Sequence, residues 1–146
     1  MLRQLDQKIE KFSVLNNIQI PSIGWIKTIR TALNMSLTQL AKRLNKSLPT
    51  VKEIEEREAN KSITLNKLME VGEKLELKLV YGFIPKESSF EKMIEKRAYE
   101  IAKDIVMRTS HSMKLEDQEN TEERLKEAIK DRANNILNEM PKYLWD

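Results

Sequence analysis

A mostly α-helical fold, with one short β-strand and a C-terminal helical extension, is the class this sequence predicts, and three observations predict it. Apolar residues recur every three or four positions in stretch after stretch, which is the helical period. Residues that start helices, Ser36, Ser47 and Thr64, stand just ahead of three of those stretches. Only one tract, "LELKLVYGFIP", alternates instead.

Leu2, Leu5, Ile9 and Phe12 predict a first helix over residues 2–13. In "VLNNIQIPSIG", Asn-Asn, Pro21 and Gly24 break it, and Ile18 and Ile20 alternate with polar residues as in a short extended segment. Trp25, Ile26, Ile29 and Leu33 mark a second helix ending near Asn34. Ser36 with Gln39 is a capping-box pattern opening a third through Leu44. Ser47 opens a fourth to about Arg57, and Pro49 is tolerated because first-turn N–H groups have no intrahelical partner. Thr64 caps a fifth, carrying Leu65, Leu68, Met69, Val71 and Leu75.

Leu77, Leu79, Tyr81 and Phe83 then alternate up to Pro85, as in a strand over 77–83. A lone strand leaves its backbone groups unpaired, so it needs either the Ile18–Ile20 segment or its own symmetry mate. Ser88 with Glu91 predicts the cap of a long helix bearing Phe90, Ile94, Ala98, Ile101 and Ile105. Asn120 with Glu123 predicts the cap of a last one bearing Leu125, Ile129, Ile136 and Met140. The organisation expected is therefore an N-terminal helix and extended segment (1–24), a helical domain (25–76), a strand or linker (77–85) and C-terminal helices (86–146).

Composition removes most chemistry. There is no cysteine, so disulfides and thiolate sites are excluded and a reducing, cytoplasmic setting is expected. "MLRQLDQKIEKF" holds no apolar run fit for a signal peptide or a membrane span. One histidine, His111, and three scattered glycines leave no catalytic cluster and no phosphate loop, so neither an enzyme nor a metal or cofactor is expected. Residues 1–85 carry 14 Lys and Arg against 9 Asp and Glu, whereas residues 86–146 carry 12 against 14. A basic front and a mildly acidic back suit a chain that meets an anionic polymer with one half and something else with the other.

The stretch "MSLTQLAKRLNKSLPTVKEIE", residues 35–55, fits a helix-turn-helix better than a plain helical hairpin. Leu40, Leu44, Val51 and Ile54 fall on the buried positions, and Ala41 falls where the helices approach closest. Asn45 falls at the turn, where left-handed backbone is needed and asparagine accepts it. Lys46 stands where an apolar residue is usual; its stem can cover the core while its ammonium stays wet. With Val51 and Ile54 inward, Leu48, Pro49, Lys52 and Glu53 face outward, with Ser47 and Thr50 near the helix start, where side chains reach base edges. Thr38 and Gln39, with Lys42, Arg43 and Lys46, are placed for phosphates. Leu48 and Pro49 suit thymine methyls, and Glu53, Glu55 and Glu56 read as solvated surface or internal pairing.

Residues 25–75, through "IRTALNMSLTQLAKRL" and "TLNKLMEVGEKL", resemble the Xre/Cro-type helix-turn-helix repressors of phages and plasmids. A longer string resembles the mobile mystery protein A family over nearly the full length: "GWIKTIRTALNMSLTQLA", "TVKEIEEREANKSITLNKL", "LELKLVYGFIPK", "HSMKLEDQ" and "LWD". That family is encoded on mobile elements beside mobile mystery protein B, a Fic-domain protein, and Fic domains typically transfer AMP from ATP to hydroxyl side chains. The resemblance implies a DNA-binding, antitoxin-like autorepressor of its own operator, with a Fic-domain partner held by residues 86–146. It also brings "SHSMKLEDQ" under attention. Inhibitors of Fic enzymes typically carry Ser or Thr, three residues, Glu, then Gly or Asn; Ser112 and Glu116 fit that spacing, with Asp117 in the last place.

A stand-alone repressor whose C-terminal helices only dimerise is the alternative. In either case a homodimer is expected, because one helix-turn-helix covers a half-site, and pairing strands through Leu79, Tyr81 and Phe83 is one way to make it.

Overall fold

The computed structural model describes residues 1–114 and 122–146, with side chains placed for 1–110 and 122–146. Their secondary structure is helical: α1 (Leu2–Glu10), α2 (Trp25–Ala32), α3 (Leu37–Leu44), α4 (Leu48–Ala59), α5 (Leu65–Lys74), α6 (Phe90–Lys114) and α7 (Glu122–Glu139). Short 3-10 turns cover Ser13–Asn17 and Lys142–Trp145. The chain divides into two compact units, Leu15–Gly82 and a second made of Met1–Val14 with Phe83–Asp146.

The Leu15–Gly82 unit holds α2 to α5. At 8, 8, 12 and 10 residues these helices are too short to persist alone in water, so packing and caps must hold them. Packing comes from Ile26, Leu40, Ala41, Leu44, Val51, Ile54, Val71 and Leu75, which form one buried cluster. Burying Leu40 fully stabilises the unit by about 1.5–3 kcal/mol. The caps are those the sequence predicts. Ser36 Oγ accepts from the Gln39 N–H (3.1 Å) and Gln39 Oε1 accepts from the Ser36 N–H (2.8 Å), closing the capping box of α3. Ser47 caps α4, with Pro49 in its first turn, and Thr64 Oγ1 caps α5 from the Lys67 N–H at 3.2 Å.

α2 has no cap of its own. Gly24 at its start has φ 87°, and Glu58 of α4 supplies the acceptors instead. The Trp25 and Ile26 N–H groups donate to Glu58 Oε2 and Oε1 at 2.9 and 2.7 Å. A Cβ on residue 24 would lie 2.7 Å from Glu58 Oε1, so glycine is required both for its φ and for this approach.

In the second unit α6 packs along α7. Ile94, Ala98 and Ala102 face Ile129, Ala133 and Ile136, and Leu144 from the final turn closes the cluster. The alanines let the helix backbones approach closely, with little side-chain volume between them. α1 packs on α6. Its Asp6 accepts from the Phe90 and Glu91 N–H groups at 2.7 and 3.1 Å, and Ser89 Oγ accepts from the Lys92 N–H. Together they satisfy the first turn of α6 and place negative charge at its positive end. The cap therefore comes from Ser89 and Asp6, not from Ser88, whose φ is 73°. Arg97 anchors the end of the unit by donating to the Leu144 and Asp146 carbonyls, each at 2.6 Å.

Two further expectations are corrected. α1 stops at Glu10, short of Phe12. Among the described residues there is no strand, and 77–83 is irregular. Alternation supplies only the tendency; a strand exists when a second one takes its hydrogen bonds, and 18–20 is irregular too. The apolar residues of the tract consequently stay in solvent: Tyr81 is 65% and Phe83 82% exposed, while Leu79 is half-buried. Asn120 and Glu116 lie outside the described residues; Ser112 falls within α6. Among the described residues no helix is long and apolar enough to cross a membrane.

Candidate nucleic-acid interface

α3 and α4 meet through a three-residue turn whose geometry follows from Asn45. Its φ and ψ are 54° and 45°, the left-handed region, and this lets the Lys46 N–H reach back to the Ala41 carbonyl at 3.0 Å. Ala41 is buried, so a larger side chain there would have to push the two helices apart. The turn then sends the chain straight into the Ser47 cap of α4.

Burial along α4 fixes which side looks outward. Val51, Ile54 and Glu55 are buried; Leu48, Pro49, Lys52, Glu53 and Glu56 are exposed and lie on one face. Ser47 and Thr50 sit at its start with their hydroxyl oxygens 2.7 Å apart, one donating to the other, while the Thr50 N–H is directed to Ser47 Oγ. Glu53 accepts from Arg57 at 2.6 Å, one turn along. Lys52 flanks a hollow of about 260 Å³ that it shares with Lys27, Glu55 and Glu56.

Of the residues expected to meet phosphate, three come together. Gln39, Lys42 and Arg43 line one hollow of about 540 Å³ with Leu33, Asn34 and Met35, at the corner between α2 and α3. Gln39 Oε1 is held by the capping box, which leaves its amide N–H groups as donors. Thr38 is exposed beside them. Lys46 is set apart: its ammonium lies 3.9 Å from Glu70 Oε1 of α5. A hydrogen bond from Lys67 at 2.9 Å, and the charge of that ammonium, hold the Glu70 carboxyl below the usual carboxylate range; Lys46 and Lys74 add to the effect.

These parts are tied together by a buried ion pair that hydrophobic patterning does not reveal. Arg30 of α2 donates from Nε to Glu55 Oε1 at 2.6 Å and from Nη2 to Glu55 Oε2 at 3.2 Å. Its Nη1 donates to the Met35 carbonyl at 3.0 Å, so one guanidinium ties α2, α4 and the turn before α3. Glu55, at 5% exposure, is internally paired, one of the two readings its sequence context allowed.

This arrangement is two short helices at a tight turn, with an outward face on the second and donors gathered at the start of the first. Residues 26–80 match the helix-turn-helix family model. They form an Xre/Cro-type helix-turn-helix domain. The domain makes the chain a DNA-binding transcriptional regulator. No curated protein and no solved structure matches the chain.

Sequence reasoning missed Glu58, Asp6 and Arg97. Each acts on backbone groups more than thirty residues away, and the only local signal for any of them was the uncapped start at Gly24.

Proposed function

We propose that the protein is an autorepressor of the antitoxin type: it binds its own operator as a homodimer and holds a Fic-domain partner through residues 86–146. The helix-turn-helix domain with its outward-facing α4 carries the DNA-binding part. The hollow formed by Gln39, Lys42 and Arg43 supports phosphate anchoring, and Ser47, Leu48, Pro49, Thr50 and Lys52 are the candidates for base contact. Duplex binding to the promoter of its own operon tests it. Loss of Lys42 or Arg43 should weaken all sequences alike and lower the salt slope by about one. Loss of Lys52 should cost about 1–3 kcal/mol and relax preference at one position. No binding at low salt would refute the reading.

The homodimer reading rests on the tract around Leu79, Tyr81 and Phe83, whose exposed rings a second copy would cover. Tyr81→Lys should then give a monomer by light scattering, and an unchanged dimer places the interface elsewhere.

The Fic-partner reading rests on the family resemblance. It is supported by Met107, Met140, Tyr143 and Trp145, side-chain types favoured at protein interfaces and here left 43–58% exposed. The Ser112–Glu116 spacing points to inhibition by a carboxylate that takes the place of the ATP γ-phosphate at an arginine. AMP transfer by the partner, assayed with wild type and with Glu116→Gly, separates this from steric masking. Suppression by the wild type alone assigns the role to Glu116; equal suppression assigns it to the helices. A chain that binds no such partner is the stand-alone repressor.

A further inference from the structure

The outward face of α4 opens with an aliphatic side chain and an imino acid. Leu48 is 45% exposed and Pro49 is exposed beside it. Pro49 has no N–H to offer a base. Two of the polar groups around them are already engaged within the helix. One hydroxyl proton of the Ser47–Thr50 pair is held between the two oxygens, and Glu53 is paired with Arg57. Lys52 sits beside Glu55 and Glu56 at the edge of a hollow. The start of the recognition helix is therefore an apolar patch of Leu48 and Pro49 beside the mutually bonded Ser47 and Thr50, with the exposed Lys52 ammonium one turn on.

In the major groove a base pair offers one apolar feature, the C5 methyl of thymine. Guanine O6 and N7, or a cytosine amino group, pressed against leucine would lose water and gain no partner, so such a surface selects for thymine and against G·C pairs. We propose that Leu48, assisted by Pro49, is a specificity-determining contact, and that it reads a thymine methyl in each half-site. This rests on the DNA-binding reading above and deepens it by naming the chemical feature recognised.

The test begins with the duplex enriched by the full-length protein from a random pool at low salt. Each thymine of the half-site is then replaced by deoxyuridine, which deletes only the methyl. One or two positions per half-site should bind about three- to fivefold more weakly, the effect expected for one buried methyl. Leu48→Ala, a change at an exposed position, should abolish that sensitivity at the main position and keep the wild-type salt slope. With cytosine at that position, 5-methylcytosine should bind better than cytosine by a similar factor. Equal affinity for thymine and deoxyuridine duplexes throughout would overturn the inference and leave DNA binding standing. Enrichment of no duplex would overturn both.

Discussion

The two units of this chain solve the same problem, holding helices together, by opposite means. In Leu15–Gly82 the helices run 8–12 residues and each start is capped: by Ser36, Ser47 and Thr64 from nearby, and by Glu58 from another helix. A buried Arg30–Glu55 pair sits inside this scaffold. In the other unit, helices of 25 and 18 residues zip along an alanine-lined seam, and polar contacts serve to attach the ends, through Asp6 and Arg97. The first unit is held by polar geometry as much as by apolar area; the second rests on area. That difference matches what each is proposed to do. A reading head must hold α4 at a fixed angle, and directional bonds fix angles where apolar contact alone does not.

The sharpest way to break the comparison is at the buried pair. Glu55→Ala or Arg30→Ala leaves one charge buried without its partner and should cost about 3–5 kcal/mol in urea unfolding. Replacing both by apolar residues, Arg30→Met with Glu55→Leu, should recover much of that stability. DNA affinity should not recover with it, since the tie to the Met35 carbonyl is gone. Recovery of both would mean that the pair sets no geometry.

On the apolar side, Ile136→Ala in the alanine seam should cost about 3 kcal/mol by the same measurement. Its DNA affinity per folded molecule should equal that of the wild type. Asp6→Ala should come next at about 1 kcal/mol, the usual worth of a lost cap, with hydrogen exchange rising first at the Phe90 and Glu91 amides. Uniform exchange along α6 would show that the cap is not local.

The smallest effects lie in surface pairs, and they oppose each other in pH. Glu70 is shifted down by its hydrogen bond with Lys67, so its contribution is full at neutral pH and fades as pH falls through the carboxylate range. Lys96 is shifted up by its hydrogen bond and charge pairing with Glu87, so its contribution is full below the lysine range and fades as pH rises through it. Glu70→Gln should therefore flatten the acid limb of the stability profile and leave the alkaline limb alone. Lys96→Met should flatten the alkaline limb. Neither change in slope would leave these pairs without energetic weight, as is common for exposed ions.

How far all this was legible depends on the range of the interaction. Ser36, Gln39, Ser47, Pro49 and Thr64 announce their helices because a cap acts within three residues, and Asn45 announces the turn because few residues accept its φ. The core positions of α3 and α4 follow from the helical period alone. Glu55 was left between solvated surface and internal pairing, and its partner Arg30 was hidden, because a charged residue on a helix normally faces water and nothing local marks the exception. The strand was misread for a related reason. Leu77 to Phe83 carries the local tendency, but strand formation depends on a distant partner, which 18–20 does not provide.

The cap that Asp6 places on α6 spans 84 residues of sequence. The helix-turn-helix unit is thus an insertion between two parts of the other unit, and this sets an order of assembly during synthesis. Every residue of Leu15–Gly82 is translated before α7 begins, and its contacts close within one contiguous stretch. The Asp6 side must wait for α6, and the α6–α7 seam must wait for residues close to Trp145. Domains generally form as their residues are completed on the ribosome. The nascent chain accordingly acquires its DNA-reading fold first, and the surface proposed to meet a partner last.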